Sequence, residues 1–447
     1  MRCAACSSIG QFRVHLVTHD KSSSVKLITA TKKLISAYNL LAYRGCRIRA
    51  NAIPANACLV TKDASQLEQL FQNWIGVFEV NKVALSATSF LICALILFLR
   101  GHMPRLSGRA DDLTCVQASH GCLTPRVGGI AIFAAIGLSI AFAYPQVTSS
   151  YGKFILATSI LFIVGLMEDL GYRVTPMRRL LAAAAASLVA IWLLGVWMPR
   201  AGIPGLDLLV THWAIGIPLT VLITAGFAHA FNLIDGTHGL ATFTGIAAAL
   251  ALSLIAKQAG YVTMAHLSMM LAAALFGFFL LNYPFGLIFL GDAGAYTIGF
   301  VLSWFGIAIL LNSPDVSPWA ILLTLFWPMA DTMLAIYRRM RRNSSIFAPD
   351  RLHAHQMVRR TLEICFLARD KRNLSNPLTA LVLAPFIIAP PIAGILLWNE
   401  TFLSFAAVVA FGALFAASYA MAPWLNRKFK RKAPVSVERK AFTSSVR

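Results

Sequence analysis

Apolar residues run along this chain in long blocks rather than in alternation. Eleven stretches approach the roughly 20 apolar residues that a bilayer crossing needs: 83–100, 127–144, 153–167, 180–198, 212–231, 239–256, 262–281, 294–311, 318–336, 378–397 and 402–423. The third is short and the fifth is closely flanked by polar motifs, so ten crossings also satisfy the pattern. In hydrocarbon each segment must satisfy its own backbone N–H and C=O groups. The expected fold is therefore all-α, a polytopic integral membrane helical bundle of 10–11 transmembrane helices with catalytic loops on one side. A single membrane domain is expected over 83–425, followed by a basic tail over 426–447. Residues 1–82 carry neither a sustained apolar period nor a signal-peptide pattern, which predicts a disordered extension or a true start further downstream.

Composition removes the soluble alternatives. Of 447 residues 58% are hydrophobic and only 13% charged, where a soluble domain carries roughly 25% charged residues. The formal net charge of +21 must then sit in loops and tails, where it reads as positive-inside asymmetry and attraction to anionic lipid rather than as a nucleic-acid surface. Its distribution sets the orientation. Loops after odd-numbered spans hold Arg105, Arg109 and Arg126, then Arg173, Arg178 and Arg179, then a run from Arg338 to Arg372, and the tail holds Arg427 to Lys432. Loops after even-numbered spans offer little beyond Lys153, Arg200 and Lys257. The odd-numbered loops are thus expected in the cytoplasm. The eight cysteines include a lone C-x-x-C at Cys3 and Cys6, without a second pair at zinc-site spacing, and read as unpaired thiols.

Polar motifs concentrate in those same odd-numbered loops. Acids at a membrane edge are costly and therefore candidates for function. GLMEDLGYRVTPMRRL ends span 3 with adjacent Glu168 and Asp169 and then Arg178 and Arg179. Adjacent carboxylates repel unless a cation, a proton or nearby arginines relieve them. FNLIDGTHGLA joins spans 5 and 6 and carries Asn232, Asp235 and His238 among glycines; its oxygens suit a hard cation such as Mg²⁺, and an Asx-Gly turn would account for the glycines equally well. NYPFGLIFLGDAGAYTIGF places Asp292 between glycines in an apolar stretch, where a helix cap is the structural alternative. RRMRRNSSIFAPDRLHAHQMVRR carries Arg351, His353 and His355 in a basic loop suited to phosphate or, more simply, to positive-inside solvation. Carboxylates and phosphate-gripping arginines on one membrane face imply an anionic diphosphate substrate held through Mg²⁺, with a lipid as second substrate, and phosphoryl transfer as the reaction class.

In order and spacing, LTPRVGGIAIF (123–133), GLMEDL (165–170), FNLIDGTHGLA (231–241), FLGDAG (289–294) and PDRLHAHQ (349–356) resemble the polyprenyl-phosphate N-acetylhexosamine-1-phosphate transferases, in the WecA-like branch of glycosyltransferase family 4. The resemblance runs from about 84 to 425. It implies transfer of a sugar 1-phosphate from a UDP-N-acetylhexosamine, most simply UDP-GlcNAc, to undecaprenyl phosphate. UMP is released, Mg²⁺ (or Mn²⁺) assists, and the site lies at the cytoplasmic face of a bacterial inner membrane. Lipid and the two substrates are then the partners, nucleic acid is not, and a homo-oligomer is admitted. By motif, Glu168, Asp169, Asp235 and Asp292 would be catalytic, with Asp292 and Asp169 at the metal. Asn232, Arg178, Arg179, Arg351, His353 and His355 would bind substrate. Asp331, in PMADTMLAIYRR, receives no role.

The chain departs from the family pattern at several positions. Glu168 replaces an Asp, His238 replaces a second acid, Gln356 a frequent His, and Leu123 and Ala295 a Pro and a Ser. The doublet Asp111–Asp112 precedes the first motif and is set aside as a decoy. Rival readings are a transferase for UDP-FucNAc or UDP-QuiNAc, the UDP-MurNAc-pentapeptide transferase, whose loop is typically richer in His, a transporter or flippase, and an inactive relative. A transporter should hold its acids near the midplane on broken helices rather than along one face.

Overall fold

The computed structural model describes residues 80–102, 124–343, 352–367 and 372–428. The expectations for residues 1–79, Asp111, Asp112, Arg351 and the tail beyond 428 lie outside the described residues. In chain order the helices are α1 (Val80–Leu99), α2 (Gly129–Leu138), α3 (Pro145–Asp169), α4 (Pro176–Leu194), α5 (Leu206–Val210), α6 (Trp213–Ile234) and α7 (Leu240–Gln258). There follow α8 (Val262–Asn282), α9 (Gly291–Asn312), α10 (Pro318–Thr324), α11 (Phe326–Arg341), α12 (Ala354–Cys365), α13 (Arg372–Leu396) and α14 (Thr401–Lys428). Among the described residues nine helices are long and apolar enough to cross a membrane, and α10 with α11, bent at a short break, make up to ten if the pair is counted as one span. The chain is a multi-pass α-helical membrane protein.

Three spans differ from the pattern read along the sequence. The second stops short: α2 runs into a 3-10 turn at Ser139–Phe142, and Pro145 then opens α3. The third is long rather than short, because α3 begins in the polar stretch PQVTSSYGK and reaches 25 residues, about 37 Å at 1.5 Å per residue. The ninth is bent by 84° between Thr324 and Phe326. Pro328 lacks the N–H that the Thr324 carbonyl would otherwise receive, so the break falls one turn before it. In the basic loop after α11, the structure adds an amphipathic helix, α12, that the run of charges concealed.

Helix α9 is the pillar of the bundle, with 89% of its apolar window buried, against 6% for α14. Small residues make that burial possible. Gly129 of α2 packs on Gly294, Gly165 of α3 on Ala293, and Gly299 on the Phe227 carbonyl of α6, each too close to admit a methyl group. Without a hydrophobic difference between lipid and side chain, such close backbone approach is what joins helices in a membrane. It also brings the ends of α2, α3, α6 and α9 together at one end of the bundle.

Candidate active site

The site begins at a kink. Gly291 adopts φ +74°, and a Cβ there would overlap both the Arg126 carbonyl and the Asp169 carboxylate. This turn aims the first N–H groups of α9 at the last residue of α3. Asp169 Oδ1 accepts from the Asp292 N–H at 2.8 Å and Oδ2 from the Ala293 N–H at 2.9 Å. One carboxylate thus caps a neighbouring helix, satisfying two orphan donors and sitting at the positive end of its dipole. The cap fixes Asp292, whose own side chain is buried to 7% exposure between two arginines. Arg179, from the first turn of α4, donates Nη1 to Asp292 Oδ2 at 2.5 Å. Arg126, ahead of α2, holds Nη2 at 3.8 Å from Oδ1.

The adjacent acids of span 3 part company, as neighbours about 100° apart on a helix must. Glu168 turns back and accepts the Val174 N–H at 2.7 Å, bracing the turn into α4. Thr175 caps α4 through the Arg178 N–H, and the Arg178 side chain is exposed.

From α6 comes the second wall. Asp235 sits at its C-cap and accepts from the Gly291 N–H; burial pushes its carboxyl up to about 7, with Arg126 opposing and Asp292 reinforcing. Asn232 donates Nδ2 to the Tyr296 hydroxyl at 3.0 Å. His229 sets its ring edge-on to Tyr296 at 5.0 Å. Tyr296 lies one turn along α9 from Asp292, a spacing that puts both on one face. His238, at the position where an acid was expected, bonds the Pro284 carbonyl through Nδ1 at 2.9 Å, and burial lowers its pKa. It holds the loop that leads into α9. Asn282 ties the same two loops, accepting from the Gly239 N–H at 2.8 Å and donating to the Ile288 carbonyl at 2.7 Å.

The third wall is the start of α12. His353 and His355 are each 1% exposed, with rings nearly parallel and 5.8 Å apart. His353 Nδ1 lies 2.7 Å from Asp331 Oδ2. His355 packs against Gly236, where a Cβ would come 2.5 Å from Nε2. Burial draws the His355 pKa down to about 3, Asp331 opposing and His353 and Arg359 reinforcing.

Segments up to 229 positions apart in sequence, from Arg126 to His355, thus meet at one end of the bundle. Tyr296, His229, Asn282 and Arg126 were missed as site residues, and Asp331 was named without a role. Helical spacing from Asp292 could have found Tyr296, and the position of Asp331 inside the apolar stretch FWPMADTML could have marked it as a site residue. Among the described residues no three His, Cys, Asp or Glu side chains are grouped as a ready-made metal cage. Asp292 and Asp235 nevertheless offer hard oxygens beside arginines. That donor set fits Mg²⁺, which is commonly held by one or two carboxylates and completes its shell with substrate phosphates and water.

Residues 151–310 match the family model described as glycosyl transferase family 4. That segment runs from α3 to α9 and contains Glu168, Asp169, Arg179, Asn232, Asp235 and Asp292. Among curated proteins, the chain is 27% identical to a probable undecaprenyl-phosphate N-acetylglucosaminyl 1-phosphate transferase of Bacillus subtilis, over 56% of this chain and 69% of the relative. It is 25% identical to the undecaprenyl-phosphate alpha-N-acetylglucosaminyl 1-phosphate transferase of Yersinia pestis, over 77% of this chain and 93% of the relative. It is 29% identical to a decaprenyl-phosphate N-acetylglucosaminephosphotransferase of Mycobacterium tuberculosis, over 54% of this chain and 66% of the relative.

Proposed function

We propose that this chain, which belongs to glycosyl transferase family 4, transfers N-acetylglucosamine 1-phosphate from UDP-GlcNAc to undecaprenyl phosphate at the cytoplasmic face of a bacterial inner membrane. The observation that carries the reading is Asp292, capped into place by Asp169 and flanked by Arg179 and Arg126 at one end of a membrane bundle. Relatives of the chain are named for the same reaction on polyprenyl phosphates. The excess of Lys and Arg in the loops at that end supports the cytoplasmic assignment.

In the proposed reaction an oxygen of the lipid phosphate attacks the sugar-proximal phosphorus of the donor. The bond from that phosphorus to the bridging oxygen breaks, and UMP departs with the oxygen and its electron pair. The lipid keeps a diphosphate-linked sugar. A phosphate nucleophile is already ionised near neutral pH, so no side chain needs to remove a proton. The chain's task is positioning and charge neutralisation. Arg179 and Arg126 would bind diphosphate oxygens through their forked N–H groups. Asp292 and Asp235 would hold Mg²⁺ (or Mn²⁺), which when bound neutralises charge on the diphosphate. Asn232 and Tyr296 offer polar contacts beside it. An apolar groove of about 340 Å³ between α11 and α14, lined by Phe326, Met333, Tyr337, Val408 and Phe415 among others, suits an isoprenoid chain.

The test is incorporation of label from a panel of UDP-N-acetylhexosamines into lipid by purified protein supplied with undecaprenyl phosphate and Mg²⁺. Label from UDP-GlcNAc is the expected result. Incorporation from UDP-FucNAc, UDP-QuiNAc or UDP-MurNAc-pentapeptide alone would reassign the sugar, and silence across the panel would remove the transferase reading.

A further inference from the structure

Asp331 is a fully buried acid on α11, and no motif claims it. Both its oxygens serve one neighbour. Oδ1 accepts the Ala354 N–H at 2.9 Å, capping α12, while Oδ2 faces His353 Nδ1 at 2.7 Å. In a neutral imidazole, a carboxylate on Nδ1 holds the ring proton there and leaves Nε2 as a bare lone pair. Among the described residues that nitrogen is buried without a hydrogen-bond partner, as are both ring nitrogens of His355. Unmade bonds of this kind are unfavourable unless a ligand completes them. The histidines also adjoin the site. His353 stacks beside His355, His355 abuts Gly236, and Gly236 follows Asp235, which accepts the N–H of Gly291 beside Asp292.

We propose that Asp331 is a positioning residue, holding His353 as the Nδ1–H tautomer so that Nε2 accepts a hydrogen bond from an O–H or N–H group of the nucleotide sugar. The ligand half of this inference rests on the transferase reading. A lone pair on Nε2 repels phosphate oxygens, which are acceptors themselves, so the recognised group belongs to the nucleoside or to the hexosamine rather than to the diphosphate. Asp331 acts only through His353 and touches no substrate atom.

Asp331→Asn separates the two duties of this carboxylate. Its amide oxygen still receives the Ala354 N–H, but its NH₂ faces Nδ1 and forces the ring proton to Nε2. Protein labelled with ¹⁵N-histidine in lipid bilayers reads this directly, the His353 signals being assigned by their loss in His353→Gln. The wild type should show a protonated Nδ1 and a bare Nε2, and Asp331→Asn the reverse. On the same preparations, calorimetry should give at least about tenfold weaker UDP-GlcNAc binding for Asp331→Asn, and no further loss when Asp331→Asn is added to His353→Gln. UMP affinity weakened in parallel places the recognised group on the nucleoside; UMP affinity unchanged places it on the hexosamine. A bare Nδ1 in the wild type, unchanged affinity in Asp331→Asn, or losses that multiply in the double variant would overturn the proposal. A wild type with the expected tautomer that binds no UDP-sugar overturns the transferase reading and the ligand half together, while the Asp331–His353 pairing stands on the spectrum alone.

Discussion

The two ends of the bundle use the same types of charged residue in opposite ways. At the end away from the site, Arg200 donates to the carbonyls of Leu310, Ser313 and Val316 at 2.7–2.9 Å, closing the C-terminus of α9. Beside it Asp207 accepts the N–H groups of Ala201 and Gly202, and Trp319 donates to the Gly202 carbonyl. These charges are met by backbone and have little left to offer a ligand. At the other end of the same helix, Asp292 shares its carboxylate between two arginines, and three ring nitrogens of His353 and His355 are buried with no partner among the described residues. A staple satisfies its charges internally, whereas a site keeps some of them for a substrate. Arg200 also explains its own oddity: a lone arginine in a loop otherwise poor in positive charge is there to bind carbonyls.

The sharpest break in this comparison comes from Asp292→Asn, which should cut sugar-phosphate transfer at least about 10³-fold while the melting temperature in detergent shifts by only a few degrees. Residual transfer above a tenth of wild type would mean that the cluster around Asp292 is another staple. Arg200→Met should show the converse, a loss of about 3 kcal/mol from three charge-assisted hydrogen bonds, read by thermal or denaturant unfolding. Turnover per folded molecule should stay within about twofold; a fall in turnover at unchanged stability would erase the distinction between the ends. His355 sharpens the comparison through pH. Its pKa falls from the ordinary 6.5 to about 3 in the folded chain, so the unfolded chain takes up a proton first as pH drops. Stability from this residue is present above about pH 6.5 and is lost as pH falls toward 3. Between pH 7 and 5 that amounts to about 2 kcal/mol, and His355→Gln should flatten the unfolding-versus-pH curve by that amount. The smallest effect is expected from Glu168→Gln. The amide oxygen can still accept the Val174 N–H, so transfer should change by less than about tenfold, or 1.4 kcal/mol.

Hydropathy alone was enough to read most spans, because a crossing needs little more than length and apolarity. It fell short where polarity and helix coincide. The first turns of α3 are polar yet helical, and α12 lies inside a run of arginines. The bend near Leu325 depends on a single missing N–H at Pro328, which no window average registers. At the site, the motifs marked where polar residues cluster but not which partners they choose. Glu168 and Asp169 are adjacent in sequence, yet one braces a turn and the other caps α9. Asp331 stayed without a role because its partner lies 22 residues away on a helix that the sequence pattern did not show.

The most direct test of the account is the identity of the nucleotide released as sugar enters lipid. Purified protein, undecaprenyl phosphate, Mg²⁺ and UDP-GlcNAc labelled in both the sugar and its adjacent phosphate should yield one UMP per lipid-linked sugar, with both labels in the lipid. Asp292→Asn should yield neither product, and Arg200→Met both. Release of UDP, with the phosphate label left in water, would show transfer of the sugar alone and contradict the mechanism.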